Sequence, residues 1–275
     1  MDSFFCITGA AGSLGRAMAV ECAHRGWNLF LTDLGEESLD AFAAGLRRAY
    51  GVRVETCPCD MTDAQSRDRL FAYMEARGFR FWGLCNVAGI DYEGPFLGRS
   101  REQIRTILRL NIEGTLEMTH AVLGRRDANR RFRLITVGSL ASFYPMPTKA
   151  AYAASKRFLL DFFIALREEL RGIGSVTILC PAGMPTTPEC VRKIGTQGLM
   201  GRITTCDVSS VAVRTIEASL RGRLVYIPGY MNRLLRAAGA LVPRPVLAWA
   251  VGMRWKAAAR KETQTQGPKA SPSLT

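Results

Sequence analysis

The chain of 275 residues is long enough for one large α/β domain or at most two small ones. Its 48% hydrophobic and 22% charged content is typical of a soluble globular protein with an ample core. The formal net charge of +13 would suit nucleic acid or an anionic membrane surface. No aromatic-interleaved basic repeat or finger spacing accompanies it, so we expect no nucleic-acid partner.

Cysteine and histidine spacing excludes a zinc site. No C-x-x-C pair occurs, and Cys57 and Cys59 have no second ligand cluster. The two histidines, His24 and His120, are expected on helix surfaces. Four cysteines fall in predicted strands and should behave as small apolar residues: Cys6, Cys57, Cys85 and Cys180.

Targeting and membrane-spanning signals are also missing from the sequence. The chain enters a strand at once, and no apolar run reaches the ~18 residues of a spanning helix. We therefore expect a reducing, cytoplasmic setting.

The first predicted strand leads directly into a glycine-rich turn and then a helix. Phe4–Ile7 is the strand, and the helix pattern ends near Gly26. In this context glycines allow the backbone to approach a pyrophosphate, and the helix N-terminus offers N–H groups and a positive dipole end. The turn is thus a candidate cofactor loop, made by Gly9, Gly12, Ser13, Leu14 and Gly15.

The second strand, Asn28–Thr32, is followed by Asp33 and Leu34. A carboxylate at this position can accept hydrogen bonds from an adenosine ribose and would repel a 2′-phosphate. The position predicts NAD rather than NADP, with Leu34 beside the same ribose. The alternative is a turn or helix-capping Asp.

The next elements continue the strand–helix alternation. Strand three is predicted over Val52–Cys59 and strand four over Phe81–Cys85. Thr62 with Gln65, and Ser100 with Gln103, have the spacing of capping boxes at helix starts. Asn111 lies inside the helix that follows Ser100, as either a polar helix residue or a buried amide that holds a water.

A tyrosine and a lysine one helical turn apart follow the fifth strand. That strand ends at Ser139, and Tyr152 and Lys156 lie on one face of the helix predicted over Tyr152–Leu170. A phenol titrates near ~10, and a neighbouring ammonium favours the phenolate. The three groups would suit proton transfer on an alcohol or carbonyl oxygen, although a tyrosine–lysine pair also arises by chance on helices.

The remaining elements complete the predicted fold. Strand six (Ser175–Cys180) is followed by the Pro181–Thr187 segment, a loop or short-helix lid to Cys206, a helix from Asp207 and strand seven, Leu224–Ile227. The alternation predicts a doubly wound, mostly parallel seven-stranded sheet with helices on both faces, over residues 1–230.

Residues 231–261 form a basic extension that reads as two amphipathic helices divided by Pro243 and Pro245. They could cover the site, pack on a second subunit or lie on a membrane. Residues 262–275 are polar and are expected to be disordered.

These motifs together resemble the short-chain dehydrogenase/reductase family, over about residues 4–230. The resemblance implies that Tyr152 is the general acid/base, that Lys156 lowers its pKa and holds the nicotinamide ribose, and that Ser139 binds the substrate oxygen. It implies that Asn111 anchors a water in the proton path. Further cofactor contacts are implied for Asp60, Met61, Asn86, Ala88, Gly89, Pro181, Met184 and Thr186.

Three residues depart from the usual family pattern. Ser13 stands where glycine is usual, Val87 replaces a frequent asparagine and Ala182 a usual glycine. None is one of the four implied catalytic positions, so activity is expected.

The interpretation is therefore an NAD(H)-dependent oxidoreductase acting on a hydrophobic secondary alcohol or ketone, of hydroxysteroid, bile-acid-like or 3-hydroxyacyl type. Family resemblance also implies a homo-oligomer. The alternatives are a non-catalytic nucleotide-binding sensor or scaffold, and a membrane-surface protein acting through its basic tail. Candidate substrate contacts are Ser139, Phe143, Tyr144, Met146, Tyr152 and Met184.

Overall fold

The computed structural model describes residues 3–185 and 204–266 of the chain. Their strands are β1 (Phe4–Thr8), β2 (Leu29–Thr32), β3 (Val54–Thr56), β4 (Phe81–Asn86), β5 (Phe132–Val137), β6 (Gly174–Leu179) and β7 (Val225–Tyr226). Within the described residues these form one parallel sheet in the order β3-β2-β1-β4-β5-β6-β7. The strand order reverses beside β1, where a crevice opens at the carboxyl ends of the strands. The predicted fold is confirmed.

Helices cover both faces of this sheet. They are α1 (Ser13–His24), α2 (Glu36–Tyr50), α3 (Ala64–Ala76), α4 (Arg101–Leu108), α5 (Thr115–Gly124), α6 (Ala150–Glu169), α7 (Val208–Leu220), α8 (Tyr230–Ala240) and α9 (Arg244–Gln266). Successive β1 side chains point to opposite faces. Phe4 and Cys6 join one core cluster with residues of α3, α5 and α6. Phe5 and Ile7 join the other with residues of α1, α2 and α7.

Two predicted helix starts agree with the structure, and a third does not. Ser100 and Gln103 form the predicted capping box of α4, and Asp207 caps α7. The predicted box of Thr62 and Gln65 is wrong. Helix α3 begins one residue later, with Asp63 accepting a hydrogen bond from the Ser66 N–H. The Thr62 hydroxyl lies outside the helix and donates to Asp60 Oδ1, 2.7 Å away.

The two edge strands are shorter than their sequence patterns. Strand β3 covers Val54–Thr56 rather than Val52–Cys59, and β7 covers Val225–Tyr226 rather than Leu224–Ile227. An edge strand pairs on one side only, so its ends gain fewer ladder hydrogen bonds than those of a central strand. Cys57 therefore lies beyond β3 and is half-buried, unlike the buried Cys6, Cys85 and Cys180.

Arg67 of α3 has a fully buried side chain and joins three parts of the fold. Its guanidinium donates to the Met61 carbonyl oxygen at 2.8 Å and to Glu117 at 2.7 Å, and it pairs with Glu113. The charge is therefore compensated where it is desolvated. This network fixes the loop after β3, which carries Asp60 and Met61.

The two C-terminal helices pack against the segment between β5 and α6. Gly239 of α8 lies against the Tyr144 ring, where an added Cβ would be 2.4 Å from Cε1. Helix α9 continues to Gln266, beyond the predicted boundary at residue 261, and residues 267–275 lie outside the described part. Over residues 244–255, apolar side chains lie on both the half-buried and the exposed side of this helix. In the ranges that the structure covers, no helix combines the length and apolarity needed to cross a bilayer.

Candidate active site

The glycine turn after β1 is closely packed and admits no side chain at two positions. Gly9 has φ +64°, and an added Cβ would lie 2.7 Å from the Ala88 backbone nitrogen. At Gly15 an added Cβ would lie 2.0 Å from the Gly9 carbonyl oxygen. Gly12 is less constrained, with 3.4 Å to the same oxygen. These contacts fix the turn against the first turn of α1.

This turn has the properties of a phosphate-binding loop. Among the described residues, no side chain caps the N-terminus of α1 at Gly12, and Ser13, Leu14 and Gly15 form its first turn. Backbone N–H groups and the positive helix end are thus presented where a pyrophosphate would bind. Ser13, the departure from the family pattern, does not disturb the turn.

The loop after β4 lies directly beside the glycine turn. Thr8 Oγ1 accepts hydrogen bonds from the backbone N–H groups of Val87 and Ala88, at 3.2 and 3.3 Å. Asn86 is buried and donates through Nδ2 to Thr119 Oγ1 at 2.8 Å, while its Oδ1 has no hydrogen-bond partner in the described part of the chain. The orphaned acceptor and the glycine turn lie side by side at the carboxyl ends of β1 and β4. The residues present therefore fit a dinucleotide.

The two predicted acidic contacts differ in their surroundings. Asp33 Oδ2 accepts a hydrogen bond from the Ala11 N–H at 2.8 Å, and Oδ1 accepts from the exposed Leu34 at 2.7 Å. Asp33 is thus also a turn carboxylate, the alternative that the sequence left open. Asp60 Oδ1 accepts from the backbone and hydroxyl of Thr62. Met61 packs in the core with 6% exposure, which leaves its backbone rather than its side chain for a cofactor contact.

Lys156 is the buried centre of the catalytic candidates. The residue is 3% exposed, and its ammonium donates to the Val137 carbonyl oxygen at 2.8 Å, at the end of β5. A Cβ on Gly89 would be 3.2 Å from this ammonium and 3.3 Å from Asn111 Oδ1. The turn after β4, Asn111 and Lys156 therefore meet at one point.

Asn111 lies in a π-helical segment, Arg109–Gly114, between α4 and α5. Its Oδ1 accepts from the Ile90 N–H at 2.8 Å, and Nδ2 donates to the Ile90 carbonyl oxygen at 3.0 Å and to Ser155 Oγ at 3.1 Å. Both amide hydrogens are thus used within the protein. Any water held by this side chain would have to donate to Oδ1.

Ser139 and Tyr152 both precede Lys156 in the chain. Ser139 Oγ accepts from the Ala141 N–H at 3.1 Å, which leaves its hydroxyl hydrogen as a donor. The 3₁₀ turn after it (Leu140–Phe143) is tied to α6 because Ser142 Oγ donates to the Lys156 carbonyl oxygen at 3.0 Å. The half-buried Tyr152 ring has its centroid 5.8 Å from the Lys156 ammonium. Tyr152 and Lys156 thus lie one turn apart on α6, as predicted.

A clasp of oppositely charged side chains joins the loop after β4 to the segment before α6, and no pattern in the sequence predicts it. The Lys149 ammonium pairs with Asp91 Oδ2 at 2.5 Å and with Glu93 Oε2 at 3.3 Å. The Gly94 N–H donates to the Thr148 carbonyl oxygen at 2.8 Å, and Thr148 has φ 69°. A non-glycine residue in this region is rare. The loop after β4 is thereby fixed to the segment before α6.

Two of the predicted substrate contacts lie under helix α8. The Phe143 ring lies 5.0 Å from the Arg236 guanidinium carbon of α8, and Tyr144 packs on Gly239. The Tyr144 hydroxyl is buried with no partner in the ranges described. Met146 is half-buried nearby, and Met184 packs on the core cluster that includes α1 and α7. For Phe143 and Tyr144, packing on the C-terminal helices is realised, and a substrate contact stays a prediction.

The remaining predictions concern the segment after β6 and the two histidines. Pro181 is buried, and its carbonyl oxygen accepts from the Leu140 N–H at 2.8 Å. Thr186 and most of the predicted lid lie outside the described residues. His24 and His120 are exposed as predicted, and the described ranges hold no cluster of metal-binding side chains.

Comparison with protein families gives one match that covers most of the chain. The family model for short chain dehydrogenase matches residues 3–197, which include the glycine turn, Asn111, Ser139, Tyr152 and Lys156. The chain belongs to the short-chain dehydrogenase family. It is accordingly an oxidoreductase of a fold that binds a nicotinamide cofactor.

Curated relatives of this family match parts of the chain. A sulfoacetaldehyde reductase 2 of Chromohalobacter salexigens is 32% identical over 200 residues, covering 72% of this chain and 79% of that protein. A very-long-chain 3-oxoacyl-CoA reductase of Laccaria bicolor is 30% identical, covering 60% of this chain and 49% of the relative. The chain thus spans about half the length of the 3-oxoacyl-CoA reductases that it matches.

Solved short-chain dehydrogenases share the architecture. A 7beta-hydroxysteroid dehydrogenase superposes with a TM-score of 0.80 at 22% identity, covering 91% of this chain and 96% of that one. A short-chain dehydrogenase from Sphingobium yanoikuyae in complex with NADPH has a TM-score of 0.68 at 25% identity, covering 98% of both chains.

The buried Lys156 makes the stability of this short-chain dehydrogenase depend on pH. Burial lowers the pKa of its ammonium to about 8, and the nearby Cys180 and Asp91 partly oppose that shift. An unfolded lysine titrates near ~10.4. Between the two values the unfolded state binds more protons, so the free energy of unfolding rises with pH in this window.

We expect wild type to gain stability relative to Lys156→Met as the pH rises from 8 to 10. The slope should approach about 1.4 kcal/mol per pH unit at most, which is the value for one proton. Urea unfolding of both proteins at pH 7, 8, 9 and 10 measures it, and other titrating groups cancel in the difference. If the difference between the two free energies of unfolding did not change with pH, the lowered pKa of the Lys156 ammonium would be contradicted.

Proposed function

We propose that this chain is an NAD(H)-dependent dehydrogenase that interconverts a secondary alcohol and a ketone on a hydrophobic substrate. One observation carries the proposal. The Lys156 ammonium, held by Val137 and one helical turn from Tyr152, lies beside the Gly89 turn of the dinucleotide crevice. A buried cation between a phenol and a cofactor crevice suits proton transfer coupled to hydride transfer.

In this proposal each residue has one task. Tyr152 takes the hydroxyl proton during oxidation and returns it during reduction. Its phenolate is favoured by the Lys156 charge, which Val137 holds in place. Ser139 donates its free hydroxyl hydrogen to the substrate oxygen, and Asn111 fixes the Ile90 backbone so that the crevice keeps its shape.

The cofactor would be held by the residues of the crevice. The first turn of α1 would bind the pyrophosphate, Asp33 the adenosine ribose, and Asn86, Ala88, Gly89 and Lys156 the nicotinamide side. When bound, the nicotinamide supplies the hydride chemistry.

The test is the absorbance of reduced nicotinamide with the purified chain, with NAD⁺ and NADP⁺ in parallel. The substrate panel comprises hydroxysteroids, bile acids, 3-hydroxyacyl thioesters and the alcohol of sulfoacetaldehyde. Turnover confined to the first three classes supports the hydrophobic substrate. Turnover of the sulfonate alone would replace it with a small anionic one, and cofactor binding without turnover would favour the sensor.

The proposed substrate class rests on the residues between Ser139 and Tyr152 and on the names of the relatives. Phe143, Tyr144 and Met146 make the segment between Ser139 and Tyr152 largely apolar. Matches include very-long-chain 3-oxoacyl-CoA reductases and a 17-beta-hydroxysteroid dehydrogenase type 3 of Mus musculus, which is 29% identical over 190 residues. These names support a bulky lipidic carbonyl.

NAD preference can be tested at Asp33 without dismantling the loop. Asp33→Asn keeps an acceptor for the Ala11 N–H and removes the charge that would repel a 2′-phosphate. We expect the ratio of kcat/KM for NAD⁺ over NADP⁺ to fall by on the order of ten- to a hundredfold, because apposed like charges cost several kcal/mol.

Asp33→Ala is the matched comparison, since it also removes the hydrogen bond to Ala11. It should weaken both cofactors in addition to changing their ratio. Wild type that already prefers NADP⁺, like relatives solved with NADP or NADPH, would overturn the assignment.

A further inference from the structure

One face of helix α9 packs on the segment between β5 and α6. The Lys149 ammonium lies 5.4 Å from the Trp255 ring centroid. An added Cβ on Gly252 would be 3.3 Å from Pro147 Cγ, so the helix backbone lies close to this segment. Leu247 and Val251 are half-buried on the same side. One side of α9 is therefore used in packing.

The opposite side presents apolar side chains to solvent. Val246, Trp249 and Met253 are 49%, 65% and 55% exposed and share one helix face by their spacing of three and four residues. Leu241 and Val242 extend this surface before the helix, with 87% and 36% exposure. We name these five residues the outer apolar face. A contiguous exposed apolar surface of this kind marks an interaction site.

The charged residues next to this face in the sequence are all basic. No acidic residue occurs between Glu217 and Glu262 in the sequence. Arg244 and Arg254 bracket the exposed turns of α9, and neither pairs with a carboxylate among the described residues. Seven basic residues occur within 230–261: Arg233, Arg236, Arg244, Arg254, Lys256, Arg260 and Lys261.

Exposed apolar side chains next to basic residues favour one kind of partner for the outer apolar face. A second copy of the chain would bring like charges together across a two-fold axis. A nucleic acid would satisfy the charges but would leave the apolar side chains in water. An anionic bilayer satisfies both, because apolar and tryptophan side chains enter the interface while arginines remain at the headgroups.

We propose that the outer apolar face docks this chain on an anionic lipid bilayer, with Val246, Trp249 and Met253 inserted and Arg244 and Arg254 at the headgroups. Docking needs no catalytic activity. On the proposed function, it would bring the segment between Ser139 and Tyr152 next to a source of lipidic substrate.

The test is co-sedimentation of the full chain with vesicles of phosphatidylcholine, with and without about 30% phosphatidylserine, at low and at physiological salt. We expect binding to the anionic vesicles that decreases with salt. The double variant Trp249→Asp, Met253→Asp should lower the bound fraction at least tenfold. Leu220→Asp, which changes a 39% exposed apolar residue on α7, is the matched control and should bind like wild type.

A second variant tests the basic residues without changing any apolar side chain. Arg244→Gln with Arg254→Gln alters only exposed charges and should also weaken binding, while circular dichroism reports the fold of each protein. Equal binding to neutral and anionic vesicles, or equal loss in Leu220→Asp, would overturn the proposal. So would a stable dimer that dissociates in the Trp249 and Met253 variant, or binding of RNA that the same variant leaves intact.

Discussion

Tyr152→Phe should lower kcat by about 10²–10⁴, the usual contribution of a positioned acid/base. The change removes one oxygen and keeps the half-buried ring beside Lys156. Hydride transfer would then lack the group that takes the alcohol proton. Steady-state kinetics with the best substrate of the panel measure the effect.

The control separates this loss from a general effect of tyrosine removal. Tyr50→Phe changes an exposed tyrosine at the end of α2 and should retain wild-type kcat. Nicotinamide binding, followed by fluorescence of the reduced cofactor, should be unchanged in both variants. A Tyr152→Phe protein with at least a tenth of wild-type kcat would mean that another group moves the proton.

Gly15→Ala should have the largest effect of any single methyl group in the cofactor loop. The new Cβ would lie 2.0 Å from the Gly9 carbonyl oxygen and 2.8 Å from the Ala10 Cα, and both are backbone atoms. Relief requires the first turn of α1 to move away from the turn after β1. We expect a destabilisation of about 1–3 kcal/mol or more and at least a tenfold loss of cofactor affinity.

Urea unfolding and titration with reduced cofactor measure the two effects. Gly45→Ala is the control, because its added Cβ meets nothing within 4 Å and its helical position should gain roughly 0.5–1 kcal/mol. Gly12→Ala should fall between the two, since its Cβ makes an ordinary contact at 3.4 Å. Wild-type affinity in Gly15→Ala would contradict the described packing of the loop.

The sequence predicted those parts of the fold that depend on local periodicity and on motif order. Alternating strand and helix patterns gave the sheet, and the spacing of Tyr152 and Lys156 placed both groups on α6. Capping by Ser100 was likewise readable, because both partners lie within one turn. The Thr62 box failed because Asp63, the next residue, caps α3 by accepting from the Ser66 N–H.

Contacts between distant residues were not readable in the same way. The clasp of Lys149 with Asp91 and Glu93 joins residues more than fifty positions apart. The buried Arg67 looks like any helix-surface arginine until Glu113 and Glu117 are brought to it by the fold. The π-helical segment around Asn111 depends on the Ile90 backbone, which no local pattern identifies.

The position of β1 in the sheet has a consequence for how the chain folds. Its two neighbours are β2 and β4, and the pairing of Phe4 with Phe81 closes a loop of residues 5–80. At about 5–20 residues per second, a ribosome needs several seconds to supply that partner strand. During this interval one edge of a strand made of Phe4, Phe5, Cys6, Ile7 and Thr8 remains unpaired. Such an apolar edge is a template for intermolecular association, so heterologous production should yield more soluble protein when chaperones that cover nascent chains are added.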